Sequence, residues 1–234
     1  MLAVTDERLP HPCLDALKRL GFTPVKLPPF PCLSPPIASH PDMLLLRLGD
    51  TLFCHRAYYA IAKNEIDRIL CTSKLSLCLT EDNVGAIYPE DIALNFVFTR
   101  NILLGNTSFL SEKVKSYVKE RHIALLSVKQ GYAKCSSVVL DGALITADSG
   151  IASAAQKASV DTLLVSAGDV SLPPYPYGFL GGASGVCGKT VFFSGNLGCH
   201  RDGNSIEAFC QKHGYDVISL SYEPLFDCGS ILFF

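Results

Sequence analysis

The chain offers no surplus of positive charge. Lysine and arginine number 20 against 22 aspartate and glutamate, for a net charge of −2. A nucleic-acid surface normally needs a basic excess, so a nucleic-acid partner is not expected. Lys113, Lys115, Lys119 and Arg121 sit at helical spacing and read as a solvated helix face. No apolar run is long enough to span a bilayer. Asp6, Glu7 and Pro10 stand where a secretory signal would need a hydrophobic stretch. These absences predict a soluble, cytoplasmic protein with no membrane partner. Ten cysteines are present without a single Cys-x-x-Cys pair, so no structural zinc site or other cofactor is expected. In a cytosol the thiols stay reduced. Cys71, Cys78 and Cys187 fall in apolar, strand-like runs and read as small core residues. No linker divides the chain either. The proline-rich stretch at 28–41 reads as a loop, and one domain covering 1–234 is expected. With 48% hydrophobic residues it has enough apolar material for a full core.

What is present is a repeat. MLLLRLGDTLFCHR (43–56), ALNFVFTRNILLGN (93–106), CSSVVLDGALITAD (135–148) and SGVCGKTVFFSGN (184–196) share one grammar. Each reads as a strand, a two-residue turn, a second strand and a polar helix start. The turn pairs are Gly49-Asp50, Arg100-Asn101, Asp141-Gly142 and Gly188-Lys189. Helices should follow at about 56–70, from Ser111, from Asp148 and from Asn204, the last with Glu207 as a capping-box partner. Third strands are expected at 74–80, 122–128, 161–167 and 216–222. The ends complete the series. CGSILFF (228–234) reads as a lone first strand, MLAVTD (1–6) as a lone second strand, PCLDALKRL as the helix and FTPVKL (22–27) as the third strand. The sequence therefore predicts an α/β fold of five ββαβ units around a pseudo-fivefold axis, a five-bladed β/α-propeller whose fifth unit is split between the termini. A site is expected where the first strands begin.

Five ββαβ units, with a cysteine opening the last first-strand, resemble the pentein fold of guanidino-group-modifying enzymes. That family includes arginine deiminases, agmatine deiminases and dimethylarginine hydrolases. The resemblance implies a cysteine nucleophile for the guanidinium carbon, a histidine that carries protons and carboxylates that bind the cation. Cys228 in FDCGSI stands where the nucleophile would stand, and Asp42 in HPDM where a substrate-binding aspartate would. Two motifs depart from the pattern. GGASG (181–185) occupies the place of the family's HxD motif, with Ser184 for the histidine. KQGY places Gln130 where a glutamate belongs. An HxD string occurs instead at His40-Pro41-Asp42.

The candidate set is then Cys228 and His40 as catalytic groups, with Asp42, Gln130, Ser184, Gly182, Tyr132 and Tyr177 binding substrate. Cys135 occupies the spot in the third unit that matches Cys228. Tyr88, Tyr132, Tyr175, Tyr177 and Tyr222 precede first strands and would gather at one mouth able to grip a cation or flat ligand. The small residues of GGASG admit either a close ligand or a crowd of neighbouring strands. ASGVCGKT mimics a phosphate-binding loop, but the apolar VFFSG follows it instead of a helix, so Gly188-Lys189 reads as a hairpin turn. Two functions remain open. One is a pocket for a small guanidino or amidino compound without catalysis, since the pentein fold also occurs in a ribosome anti-association factor. The other is a Cys-dependent guanidine hydrolase or amidinotransferase using Cys228. Fold alone does not choose between them.

Overall fold

Each repeated phrase folds as a tight antiparallel pair, and the computed structural model describes all residues, 1–234. In chain order, β1 (Leu2–Asp6), α1 (His11–Arg19) and β2 (Thr23–Leu27) come first. A short α2 (Pro41–Leu44) leads into β3 (Leu45–Leu48), β4 (Thr51–His55), α3 (Arg56–Ile61), α4 (Lys63–Ser73) and β5 (Ser76–Thr80). Then come β6 (Val97–Thr99), β7 (Ile102–Gly105), α5 (Glu112–Glu120) and β8 (Ala124–Ser127). They are followed by β9 (Ser137–Leu140), β10 (Ala143–Thr146), α6 (Ser149–Lys157) and β11 (Asp161–Leu164). After β12 (Val170–Ser171) run β13 (Ser184–Cys187), β14 (Thr190–Phe193), α7 (Gly203–Lys212) and β15 (Asp216–Ser219). The chain closes with β16 (Leu225–Phe226) and β17 (Leu232–Phe233).

Five three-stranded sheets share one pattern. The first strand pairs antiparallel with the second, and the second pairs parallel with the third, across a helix. The fifth sheet is built from both ends of the chain. β17 pairs antiparallel with β1, Ala3 facing Phe233 and Val4 facing Leu232, and β1 pairs parallel with β2. The expected turn pairs connect the hairpins. Gly49, Gly142 and Gly188 take positive φ there, as do Arg100 and Asn101, which suits the twist of two-residue hairpin loops. First strands of different sheets pack side by side: β17 on β13, β13 on β9 and β9 on β6. The second strands are wholly buried in β4 and β10. The helices bury one stripe each, for example Val114 and Val118 of α5 and Ile206 and Cys210 of α7. The mixed α/β order thus follows from short, continuous apolar runs bounded by turn pairs, alternating with helical stretches that bury one stripe.

Several local details differ from the sequence reading. α7 starts at Gly203 behind Asp202, two residues earlier than Asn204 suggested. The first unit's helix is broken at Ala62 into α3 and α4. Ser111 precedes α5, but its hydroxyl makes no capping bond. Cys71 is exposed on α4, and Cys78 and Cys187 are only half-buried, each packed at the edge of an apolar cluster. The parallel pair β12–β16 was not foreseen; two-residue strands carry no periodicity to read. No helix is long and apolar enough to cross a membrane. Asp148 does cap α6, accepting from the Ile151 amide at 2.8 Å. Asp148→Ala should therefore cost about 1 kcal/mol, read as a lowered midpoint in thermal unfolding.

Candidate functional site

The site forms where four chain segments reach the start of a first strand or the strand after it. They are 40–43 before β3, 132–135 before β9, 179–182 before β13 and 227–230 before β17. Together with the loop at 172–177 they enclose a cavity of about 210 Å³. Its lining combines the aromatic rings of Tyr132, Tyr175, Tyr177 and Phe179 with the polar side chains of His40, Cys135 and Asp227. The Tyr132 and Phe179 rings lie 5.9 Å apart, and Tyr88 backs Tyr132 at 5.5 Å. Tyr132 is fixed by donating its hydroxyl to Asp91 Oδ2 at 2.7 Å. Burial and that carboxylate hold the phenol in its neutral form.

Four aspartates are buried in and around this cavity, and they are not equally compensated. Asp91 has no Lys or Arg partner, but it stands behind Tyr132, whose hydroxyl it accepts, and does not line the cavity. Asp6 accepts from the backbone amide and guanidinium of Arg8, at 2.7 to 3.1 Å, and from Ser39 Oγ at 2.8 Å. Asp42 accepts from Ser230 Oγ at 2.7 Å and from the Cys135 thiol at 3.1 Å. Lys134 Nζ donates to the same Ser230 oxygen at 2.8 Å, so a cation stands one hydroxyl away from Asp42. Asp227 has no Lys or Arg partner. It accepts from the Phe179 and Gly229 amides at 2.8 and 3.0 Å, and His40 Nδ1 is 3.9 Å away. Burial pushes the Asp227 carboxyl above the ordinary aspartate range, with His40 and the two amides pulling against it. The thiols respond likewise. Burial first, and then Asp42 and Asp227, push Cys135 well up; burial, then Asp227 and Asp6, do the same to Cys228.

Three glycines let these groups approach, Gly178 by leaving room for the Asp227 side chain. A Cβ at Gly182 would land on the Asp227 carboxylate, and one at Gly229 would land on His40. Gly229 also takes a φ of 62° that favours glycine. Gly182 is pinned by its backbone. Its amide donates to the Cys135 carbonyl at 2.7 Å, and its carbonyl accepts from the Cys228 and Ser230 amides. A Cβ at Gly181 or Gly185 would meet backbone of the neighbouring units at Ser137 or Ile231. The small residues of 181–185 therefore serve the crowding of adjacent segments.

The sequence candidates divide accordingly. His40, Tyr132 and Tyr177 line the cavity, as does Cys135. Asp42 stands behind Cys135 and borders a second space of about 160 Å³ between first strands, with Leu45, Phe98, Val139 and Leu232. Gln130 faces another cavity, of about 150 Å³, with Asp148, Ser166 and His200; Tyr177 borders both. Ser184 is buried and donates to the Gly181 carbonyl at 2.9 Å. Gly182 packs behind Asp227 without lining the cavity. Cys228 is 0% exposed and sits in an apolar cluster with Ala3, Leu14 and Leu17 beneath α1, donating weakly to the Gly182 carbonyl. Tyr222 is 96% exposed and stands outside the cavity, and Tyr88 takes part only through Tyr132. Of the five residues expected together, His40 and Asp42 lie together beside Cys135, with donor atoms within 4.8 Å, and the Asp42 amide bonds the Gly229 carbonyl next to Cys228 at 3.0 Å. Gln130 faces the separate cavity, and the polar groups that line the aromatic-walled one are His40, Cys135 and Asp227. Asp227 was legible in principle: along extended backbone, neighbours point to opposite sides. Whichever side Cys228 buries, Asp227 takes the other.

Comparison with known proteins follows the same lines. Residues 4–232 match the profile of a family described as "Family of unknown function (DUF6873)". No curated protein matches the sequence. Among solved structures, dimethylarginine dimethylaminohydrolase from Pseudomonas aeruginosa, a mutant complexed with citrulline, is 10% identical with a TM-score of 0.56. The alignment covers 94% of this chain and 92% of that one. An amidinotransferase from Microseira wollei in a saxitoxin biosynthetic pathway is 12% identical at a TM-score of 0.53, covering 94% and 88%. Inosamine-phosphate amidinotransferase from Streptomyces griseus is 14% identical at 0.51, covering 91% and 73%. At these identities the likeness is one of fold, and the shared fold is the pentein fold.

Proposed function

The chain belongs to this family of unknown function, and from its cavity we propose that it binds the cationic head of a small guanidino or amidino compound. The observation that carries the reading is Asp227: a buried carboxylate without a Lys or Arg partner, facing a cavity walled by aromatic rings. Asp6 has Arg8, and Asp42 has Lys134 through Ser230. A buried carboxylate left unmatched favours a cation brought from outside. A guanidinium suits the place. It is planar, pairs with carboxylate oxygens by parallel N–H bonds, and stacks on rings such as Tyr177 and Phe179. We read the five sheets as five blades about a pseudo-fivefold axis, with the cavity at its mouth. The side-by-side order of β17, β13, β9 and β6 supports that reading.

Binding without catalysis is preferred over a Cys228 nucleophile. The Cys228 thiol is pushed up by burial and by Asp227, and it lies in an apolar cluster; a nucleophile needs the reverse. The experiment is a calorimetric titration with a short alkylguanidine and its matching alkylurea, which has the same shape without the charge. The guanidine should bind saturably at one site, and the urea about tenfold or more weakly. Equal affinity for the two would sink the proposal.

A further inference from the structure

His40 is 1% exposed, yet neither ring nitrogen has a hydrogen-bond partner. Nε2 is 3.5 Å from Asp6 Oδ2 and Nδ1 is 3.9 Å from Asp227 Oδ1, both too long for a good bond. Imidazole nitrogens buried in that way are rare without a partner. Beside the ring stand Asp42 and Cys135. One ring nitrogen, one Asp42 oxygen and the Cys135 sulfur all lie within 4.8 Å of one another. The sulfur and Asp42 Oδ1 are already 3.1 Å apart. We propose that His40, Asp42 and Cys135 form a binding site for a divalent transition-metal cation of the zinc class.

The donor set selects that class. One nitrogen, one oxygen and one sulfur suit a borderline-soft ion, whereas calcium and magnesium take oxygen ligands. In a tetrahedral zinc site, neighbouring donor atoms stand about 3.3–3.8 Å apart, given bonds of about 2.0–2.3 Å. The widest pair needs to close by about 1.5 Å at most to meet that spacing, while the sulfur and the Asp42 oxygen open slightly. The metal would take the position of the thiol proton that now bridges Cys135 and Asp42. That proton leaves to solvent as the metal–sulfur bond forms. Supporting bonds are in place. Ser230 holds the other Asp42 oxygen at 2.7 Å, and Asn95 Nδ2 donates to the Cys135 sulfur at 3.0 Å, as outer partners of metal ligands do. With three protein ligands, a fourth position opens to the cavity on which His40 and Cys135 lie.

This inference does not rest on the guanidine reading. The metal uses Asp42, and the guanidinium uses Asp227. Two cations in one small cavity repel, so each should weaken the other's binding by the same factor. The test uses reduced, chelator-treated whole protein titrated with Co²⁺. One equivalent should produce the near-ultraviolet thiolate-to-cobalt absorption, and Zn²⁺ should abolish it by displacement. Cys135→Ser should remove the absorption, and His40→Gln or Asp42→Asn should weaken Co²⁺ binding by about tenfold or more. Circular dichroism reports whether each variant folds. Should a variant fail to fold, the anomalous-scattering position of zinc in a soaked wild-type crystal decides instead. Absence of a saturable cobalt spectrum overturns the site, as does a spectrum unchanged in folded Cys135→Ser or a zinc peak elsewhere. Because the alkylguanidine titration is run on metal-free protein, failure of one proposal leaves the other standing.

Discussion

Deleting residues 229–234 should leave a chain that does not fold to a soluble native state. The deletion removes β17, the partner of β1, along with the reciprocal bonds between Leu2 and Phe234. It exposes one edge of β1, whose five residues are all buried. Phe233 also leaves its contacts with Phe22 at 4.9 Å and Phe192 at 5.2 Å, and Ile231 leaves the cluster beneath α1. Each large apolar side chain fully buried contributes roughly 1.5–3 kcal/mol. Losing Ile231 together with three partly buried apolar residues removes several kcal/mol, against a typical net stability of about 5–15 kcal/mol. An exposed apolar edge adds a route to aggregation. Size-exclusion chromatography and thermal unfolding would check this. A soluble monomer with the wild-type midpoint would contradict the role given to the split sheet.

Asp227→Asn should cost about tenfold or more in affinity for an alkylguanidine, since a charge-assisted pair becomes a neutral one. It should also remove a pH dependence. The Asp227 carboxyl lies above its ordinary value because burial disfavours its charge. Its folded-state value therefore exceeds its unfolded one, and the folded protein holds this proton more tightly. The stability this gives is full below the unfolded value and is lost as pH rises through the folded value. A guanidinium prefers the ionised form, so its affinity should rise with pH over the same range and then level off. In Asp227→Asn both dependences should flatten. An affinity in the wild type that falls as pH rises there would refute the pairing.

Most of the fold was legible because it is written five times. The turn pairs, the parallel third strands and the split fifth unit rest on patterns long enough to read, from MLLLRLGD to CGSILFF. What failed was local. Asn204 and Glu207 fit a capping box, yet the chain at Asp202 turns first, with the Asp202 carboxylate accepting from the Ser166 amide at 2.6 Å. No spacing in the sequence announces that contact. The site was half legible. His40, Asp42, Tyr132 and Tyr177 follow from lying just before first strands. The choice between Asp227 and Cys228 depends on which neighbour faces the cavity, and Asp227 does. Cys135 was visible only as an equivalent position, because its role comes from Asp42 and Asn95, which lie far away in sequence. Ser230 and Lys134 join across the fold in the same way.

The cavity bounded by Asp227, His40 and the tyrosines is expected to hold a planar cation. The most direct measurement is a crystal structure of the metal-free protein soaked with a short alkylguanidine. Density for a planar head is expected within hydrogen-bond distance of the Asp227 carboxylate and lying against Tyr177 or Phe179. Density for the ligand only in the separate cavity beside Gln130 and His200, with the space in front of Asp227 filled by water alone, would contradict it.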